Sequence, residues 1–209
     1  MRPSRYFGSP WVETNLKHLP PPPGQVLDLA CGRGRHTLLL LDHGYEVVAV
    51  DSDRAALAEL EKRVPNANRE RLRVVCHDLE TSEAWPEGLA GRRFALVLVV
   101  NYVYRPLLCR LQELVGPGGL LVYEAWAQGN EAFACPKSRS VLAERTLRPN
   151  ELLLSATPLA DWEVLGFSSG MLEDYEGRDC CKQMVCARRP GNAGTDGAGN
   201  GGAPPAAAL

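Results

Sequence analysis

From Gln25 onward, short apolar runs alternate with stretches whose apolar residues recur at helical spacing. Gln25-Val-Leu-Asp-Leu-Ala predicts a short buried strand, and Arg35 to His43, with its Leu38–Leu41 run, predicts a helix closed by Gly44. Glu46-Val-Val-Ala-Val predicts a second strand that ends on Asp51. Arg54 to Val64 places Leu57, Leu60 and Val64 on one helical face, and Pro65 stops it. Leu72–Cys76 and Phe94–Val100 predict the third and fourth strands. Pro106 to Val115 predicts a helix stopped by Gly116-Pro-Gly-Gly, and Leu120–Glu124 predicts a fifth strand. Pro149 to Leu154 opens a further helix, and Trp162–Ser168 and Gln183–Ala187 complete the strands. Strands that are continuously apolar and separated by helices imply a doubly wound, mostly parallel α/β sheet with helices on both faces. No internal repeat is visible.

Composition narrows the class. The chain has 209 residues, 45% of them hydrophobic and 23% charged, which suits one α/β domain with a real core. A net charge of −2 gives no global surplus to hold a phosphate backbone. Arginines cluster locally at Arg33 and Arg35 and at Arg69, Arg71 and Arg73. No apolar run reaches membrane-spanning length, and no apolar signal segment follows the two arginines of Met1-Arg-Pro-Ser-Arg-Tyr-Phe, so the expectation is a cytoplasmic protein. The seven cysteines include no Cys-x-x-Cys pair, and Cys181 and Cys186 have no matching second pair, so reduced thiols and no metal are expected. From Pro190 to Leu209 the chain is mostly Gly, Ala and Pro and predicts a disordered tail. The expected division is an N-terminal segment over 1–24, a domain over 25–189 and the tail over 190–209.

The chemistry concentrates in Val26-Leu-Asp-Leu-Ala-Cys-Gly-Arg-Gly-Arg-His-Thr. Gly32 and Gly34 follow the first strand and open the first helix, where glycine lets the main chain turn tightly and lets a ligand lie against it. Asp51 ends the second strand, where a carboxylate can accept hydrogen bonds from both ribose hydroxyls. Asp78 follows the third, where an acid or a neighbouring amide can meet an adenine amino group. Together they describe an adenosine site on successive loops of one sheet edge. Two features separate the candidate ligands. The third glycine of the dinucleotide fingerprint is missing, since Arg35, His36 and Thr37 follow Gly34. Asp28, before the glycines, suits a cationic sulfonium ligand better than an anionic pyrophosphate.

Asp28-Leu-Ala-Cys-Gly-Arg-Gly resembles the first motif of class I S-adenosylmethionine-dependent methyltransferases, with Asp51 on their ribose-binding acid and Asp78 on the acid after the third strand. Asn101-Tyr-Val-Tyr-Arg-Pro-Leu, Tyr123-Glu-Ala-Trp-Ala-Gln-Gly-Asn-Glu and Leu147-Arg-Pro-Asn-Glu-Leu-Leu resemble segments of small methyltransferases related to the tellurite-resistance methyltransferases. The resemblance covers roughly Pro20 to Arg188. It implies a Rossmann-like, seven-stranded sheet with an antiparallel final hairpin, S-adenosylmethionine as cofactor and S-adenosylhomocysteine as product. The chain departs from the subgroup at Ala95, where Asp is usual, at Tyr104, where His is usual, and over Ala132-Phe-Ala-Cys-Pro.

The cofactor-binding set expected from motif and spacing is Asp28, Ala30, Cys31, Gly32, Gly34, Asp51, Ser52, Asp78, Leu79 and Asn101. For Asp28 the alternative is a buried acid that caps the loop. Asn101, Tyr102, Tyr104 and Glu124 are the catalytic candidates, with Arg105 as a further lining residue of the acceptor pocket. Glu124 is read either as an orienting group or base, or as an exposed strand-end acid. His36 reads as a packing residue rather than a base. Trp11 and Tyr6-Phe7 either close over the cofactor or simply pack the N-terminal segment beside it. Asn101-Tyr-Val-Tyr lacks the prolines of an Asn-Pro-Pro-Tyr motif, and Cys135-Pro136 is in the wrong order and place for a cytosine-directed nucleophile. The expected reaction is direct in-line methyl transfer to a small molecule, without metal or covalent intermediate. Two alternatives stay open at this point: an RNA or protein substrate, supported by the arginines at 69, 71, 73, 92 and 93, and a non-catalytic cofactor-binding partner protein. The oligomeric state is left open.

Overall fold

The computed structural model describes residues 7–81, 84–133, 143–154, 161–173 and 179–191. Helix α1 (Pro10–Asn15) leads to β1 (Gln25–Leu29), α2 (Arg35–Asp42), β2 (Glu46–Asp51), α3 (Arg54–Arg63), β3 (Leu72–Cys76) and β4 (Phe94–Val100). After these come α4 (Arg105–Leu108), β5 (Val115–Trp126), α5 (Glu151–Leu154), β6 (Glu163–Glu173) and β7 (Asp179–Arg188). The strands form one seven-stranded sheet in the order β3-β2-β1-β4-β5-β7-β6. β1 to β5 run parallel, while β7 lies antiparallel to both β5 and β6. The implied Rossmann-like sheet with a terminal antiparallel hairpin is therefore the observed one.

The continuous apolar runs are explained by burial on both faces. On one face Leu27, Leu29, Val48, Val50, Val97, Val99 and Tyr123 pack with Leu107, Leu108, Leu111 and Leu152. On the other, Val26, Val47, Ala49, Leu96, Leu98 and Val122 pack with Val12, Leu16, the Leu38–Leu41 run and Leu60. Each such side chain contributes about 1.5–3 kcal/mol when fully buried. Local signals set the helix starts. Asp53 caps α3 by accepting from the amides of Ala55 (2.8 Å) and Ala56 (3.1 Å), and Ser9 caps α1 just ahead of Pro10.

Three expectations need correction. The stretch Pro106–Val115 is not one helix: α4 is a single turn, a 3₁₀ turn covers Leu111–Glu113, and β5 already begins at Val115. The glycines at 116, 118 and 119 do not precede the strand but lie inside it. Phe94 pairs with Val115 but Leu96 pairs with Leu120, so the extra residues bulge out of the ladder. A Cβ on Gly119 would stand 2.8 Å from the Phe94 carbonyl oxygen, which is why glycine is needed there. The final strands are also longer than their apolar runs, because β6 and β7 pair over their whole length. No helix among the described residues is long and apolar enough to cross a membrane.

Candidate functional site

The strand order reverses between β1 and β4, and the carboxyl ends of these strands flank the crevice where doubly wound sheets take ligands. The loop after β1 is tightly bent, with φ of 53° at Ala30, 54° at Gly32 and 72° at Gly34. Its two glycines answer different needs. A Cβ on Gly34 would lie 2.3 Å from Leu60 Cδ1, so that glycine lets α3 pack against the loop. A Cβ on Gly32 would meet nothing within 4 Å, so the space above it is open to a ligand. The Cys31 amide donates to the Val50 carbonyl at 3.0 Å and holds the loop between β1 and β2. Asn101, at the end of β4, is exposed and also sits at positive φ, 57°. Ala30 and Asn101, just past the two strands that flank the switch point, are thus both non-glycine residues in the left-handed region, a strain that clusters at ligand sites.

Asp51 closes this loop from the β2 side. Its Oδ2 accepts from the Gly32 amide at 2.6 Å and its Oδ1 from the Asp53 amide at 2.9 Å. A carboxylate offers about four acceptor positions, so ribose hydroxyls can be added without breaking either bond. Asp28 lies on β1, beneath the start of the loop. It is only 2% exposed and accepts the Thr37 hydroxyl at 2.6 Å. Burial pushes its carboxyl up to about 7, against the opposing effect of the Thr37 bonds. In this position it ties the first turn of α2, through Thr37, to β1. Asp78 is exposed and accepts from the Glu80 amide at 2.9 Å in a local turn. Ser52 is exposed, with its carbonyl 3.8 Å from Cys76 Sγ. The Leu79 side chain packs in the core.

The segment after β4 braces rather than lines. The Tyr102 hydroxyl donates to Glu80 Oε1 and the Tyr104 hydroxyl to the Glu80 carbonyl, each at 3.2 Å. Arg145 forms an ion pair with the same Glu80. Arg105 grips buried Glu151 through two bonds, at 2.7 and 3.0 Å, and donates to the carbonyls of Glu144 and Thr146. Tyr102, Tyr104 and Arg105 therefore tie the end of β4 to residues 143–151. Tyr104 also borders a surface cavity with Leu79 and Arg110.

Glu124 is 2% exposed, which removes the reading of an exposed strand-end acid. Lys182, 4% exposed, pairs with its Oε1, and the Ser9 hydroxyl donates to its Oε2. The Ser9 amide in turn donates to His36 Nε2 at 3.0 Å. His36 is buried and its pKa falls to about 3, chiefly by desolvation, so it stays neutral and serves as a packing residue. A cavity of about 330 Å³ lies above the Glu124–Lys182 pair, bordered by Trp11, Thr14, Leu172 and Met184. Trp11 thus packs at this cavity, Phe7 is 81% exposed, and Tyr6 and the Cys135 loop lie outside the described residues. Ser9 and Lys182 carry no motif, and the sequence offered no signal for either. Among the described residues no group of His, Cys, Asp or Glu could hold a metal ion.

Residues 26–119 match the family model described as a methyltransferase domain. No curated protein matches the sequence. Among solved structures, TehB from Haemophilus influenzae superposes with a TM-score of 0.61 at 22% identity, over 86% of this chain and 61% of that one. The chain therefore spans 61% of the length of TehB. The glycopeptide N-methyltransferase MtfA complexed with S-adenosylmethionine gives 0.57 at 20% identity, over 85% and 92%. An S-adenosylmethionine-dependent methyltransferase from Mesorhizobium loti gives 0.60 at 17%, over 85% and 96%. Residues 26–119 thus match a methyltransferase domain, and the chain shares the fold of solved S-adenosylmethionine-dependent methyltransferases.

Proposed function

We propose that the chain transfers a methyl group from S-adenosylmethionine to a small-molecule acceptor by direct in-line displacement. The observation that carries this reading is the open Gly32 held by Asp51 at the switch point, with a small cavity one strand away. The Gly32–Gly34 loop would carry the methionine part, Asp51 the ribose, and the segment Asp78–Leu79 the adenine, with Ser52 and Asn101 at the margins. The cofactor supplies a methyl group already activated on a sulfonium. The protein's own task is to align the acceptor and exclude water, which needs no metal or covalent intermediate. A small acceptor is supported by the size of the cavity beside the crevice, about 330 Å³, at the lower end for small-molecule sites. A cytoplasmic location is part of the same reading.

Calorimetric titration with S-adenosylhomocysteine tests the cofactor half. Wild-type protein should bind it, and Asp51→Ala should weaken binding at least tenfold, about 1.4 kcal/mol. Binding of NAD with no response to S-adenosylhomocysteine would overturn it. Transfer of labelled methyl groups to metabolite, RNA and protein fractions tests the other half. Label should appear among metabolites. Label confined to RNA or protein would refute a small acceptor, and no label anywhere would make the chain a cofactor-binding partner without catalysis.

A further inference from the structure

We infer that the cavity between α1 and the β6–β7 hairpin is the methyl acceptor's site, and that the acceptor is an apolar molecule bearing an acidic hydroxyl, a phenol or an enol, whose oxygen is held by Lys182. This rests on the cofactor reading above.

The position comes first. The Asn101 amide donates to the Glu124 carbonyl at 2.7 Å, so the cavity floor adjoins the end of β4, where the cofactor crevice lies. Asp28 under the glycine loop and Glu124 on the floor also lie on the same face of the sheet, the face covered by α1 and α2. The apolar residues of that face, Val26 beside Asp28 and Val122 beside Glu124, belong to one cluster with Val12 and Leu38.

The chemistry follows from unused hydrogen-bonding capacity. A lysine ammonium has three donors and no acceptor. Among the described residues Lys182 has one hydrogen-bond acceptor, Glu124, and its Nζ stands 4.5 Å from the centre of the Trp126 ring. It therefore retains donor capacity at the floor of the cavity. A buried ammonium of this kind favours a partner oxygen that carries, or develops, negative charge. The walls supplied by Pro10, Trp11, Leu172 and Met184 ask for an apolar body. Glu173 also borders the cavity, but it is an exposed residue, screened by water, and does not cancel the buried ammonium. An acceptor that binds as a cation would meet Lys182 with the wrong sign.

Glu124 completes the arrangement. Lys182 and Ser9 occupy one acceptor position on each of its oxygens, which leaves further lone pairs for the acceptor's O–H. The hydroxyl proton passes to Glu124. The acceptor oxygen forms the new bond to the methyl carbon, the carbon–sulfur bond of the donor breaks, and its electron pair stays on sulfur.

The probe is para-nitrophenol, whose phenolate absorbs visible light. It is titrated into protein saturated with S-adenosylhomocysteine, at a pH below the free phenol's own ionisation. Wild-type protein should bind it and raise the phenolate absorbance. Removing one charge alone would leave the other buried and threaten the fold, so the variant is the double replacement Lys182→Met with Glu124→Gln. It should lose the absorbance rise and bind the phenol at least tenfold more weakly, with S-adenosylhomocysteine affinity within twofold of wild type. Leu172→Trp, which fills the cavity and leaves its floor intact, should weaken the phenol to the same degree. No phenol binding by the loaded wild type, or equal binding by both variants, would overturn the proposal. Failure of S-adenosylhomocysteine to bind would instead refute the cofactor reading, and the phenol titration of ligand-free protein would still report on the cavity.

Discussion

Asp28 and His36 carry opposite pH dependences that should nearly cancel in the wild-type protein. Burial pushes the Asp28 carboxyl from its ordinary value of 3.8 up to about 7 in the folded chain. Between those values the folded chain holds a proton that the unfolded chain has released. Stability from this group therefore falls as pH rises, by about 1.4 kcal/mol per pH unit and at most about 4 kcal/mol in all. His36 has its folded value depressed from 6.5 to about 3. There the unfolded chain binds the extra proton, so stability rises with pH over that range by a similar amount. The windows overlap from about pH 4 to 6.5, and within it the two slopes oppose each other. Asp28→Asn removes one of them and leaves a neutral group that still accepts from Thr37. Urea unfolding of ligand-free protein, followed by circular dichroism and tryptophan fluorescence, measures the difference between variant and wild type. That difference should be near zero at pH 4 and should favour the variant by several kcal/mol at pH 7. His36→Gln should show the mirror image, falling behind wild type as pH rises towards 6.5. A difference that does not change with pH for Asp28→Asn would mean that Asp28 ionises in the fold as it does in the open chain, and the argument from burial would fail.

The two loop glycines should separate stability from binding. Gly34→Ala forces alanine into a φ of 72° and drives its Cβ against Leu60, so thermal and urea unfolding should register a loss of about 3 kcal/mol. Gly32→Ala meets only the conformational cost, about 1 kcal/mol, yet should weaken S-adenosylhomocysteine more than tenfold in calorimetry because its methyl enters the open space above the loop. Arg105→Ala leaves Glu151 buried without its guanidinium and should cost about 2–3 kcal/mol in urea unfolding. Arg105→Lys should recover only part of that, since lysine lacks the planar fork that makes two bonds to one carboxylate.

The parallel half of the sheet was legible because burial on both faces leaves a direct trace, the unbroken apolar runs of β2 and β4. The glycine loop was legible because its backbone conformation admits few residues. Elements set by distant partners left no such trace. The start of β5 reads as a turn because Gly116-Pro-Gly-Gly is turn chemistry, and only the bulge against Phe94 turns it into strand. Arg105 reads as a surface or pocket residue until Glu151 closes on it from 46 positions away. Glu124 reads equally as an orienting acid or as an exposed strand end, because Lys182, 58 positions later, and Ser9, 115 earlier, are what make its burial tolerable. A lone lysine within Asp179–Arg188 gives no hint that it points inward. The missing knowledge was of pairings across the chain, and local pattern does not encode those.

Ser9 touches both halves of the proposed centre at once: its amide is held by the first turn of the helix that follows the glycine loop, and its hydroxyl by the acid beneath the cavity. A ligand that moves this one residue at either end must also do work at the other. Donor and acceptor affinities would then be coupled, and by thermodynamic reciprocity each would change the other by the same factor. The segment around Ser9, ahead of the first strand, is in that sense the means by which one half of the reaction senses whether the other is in place.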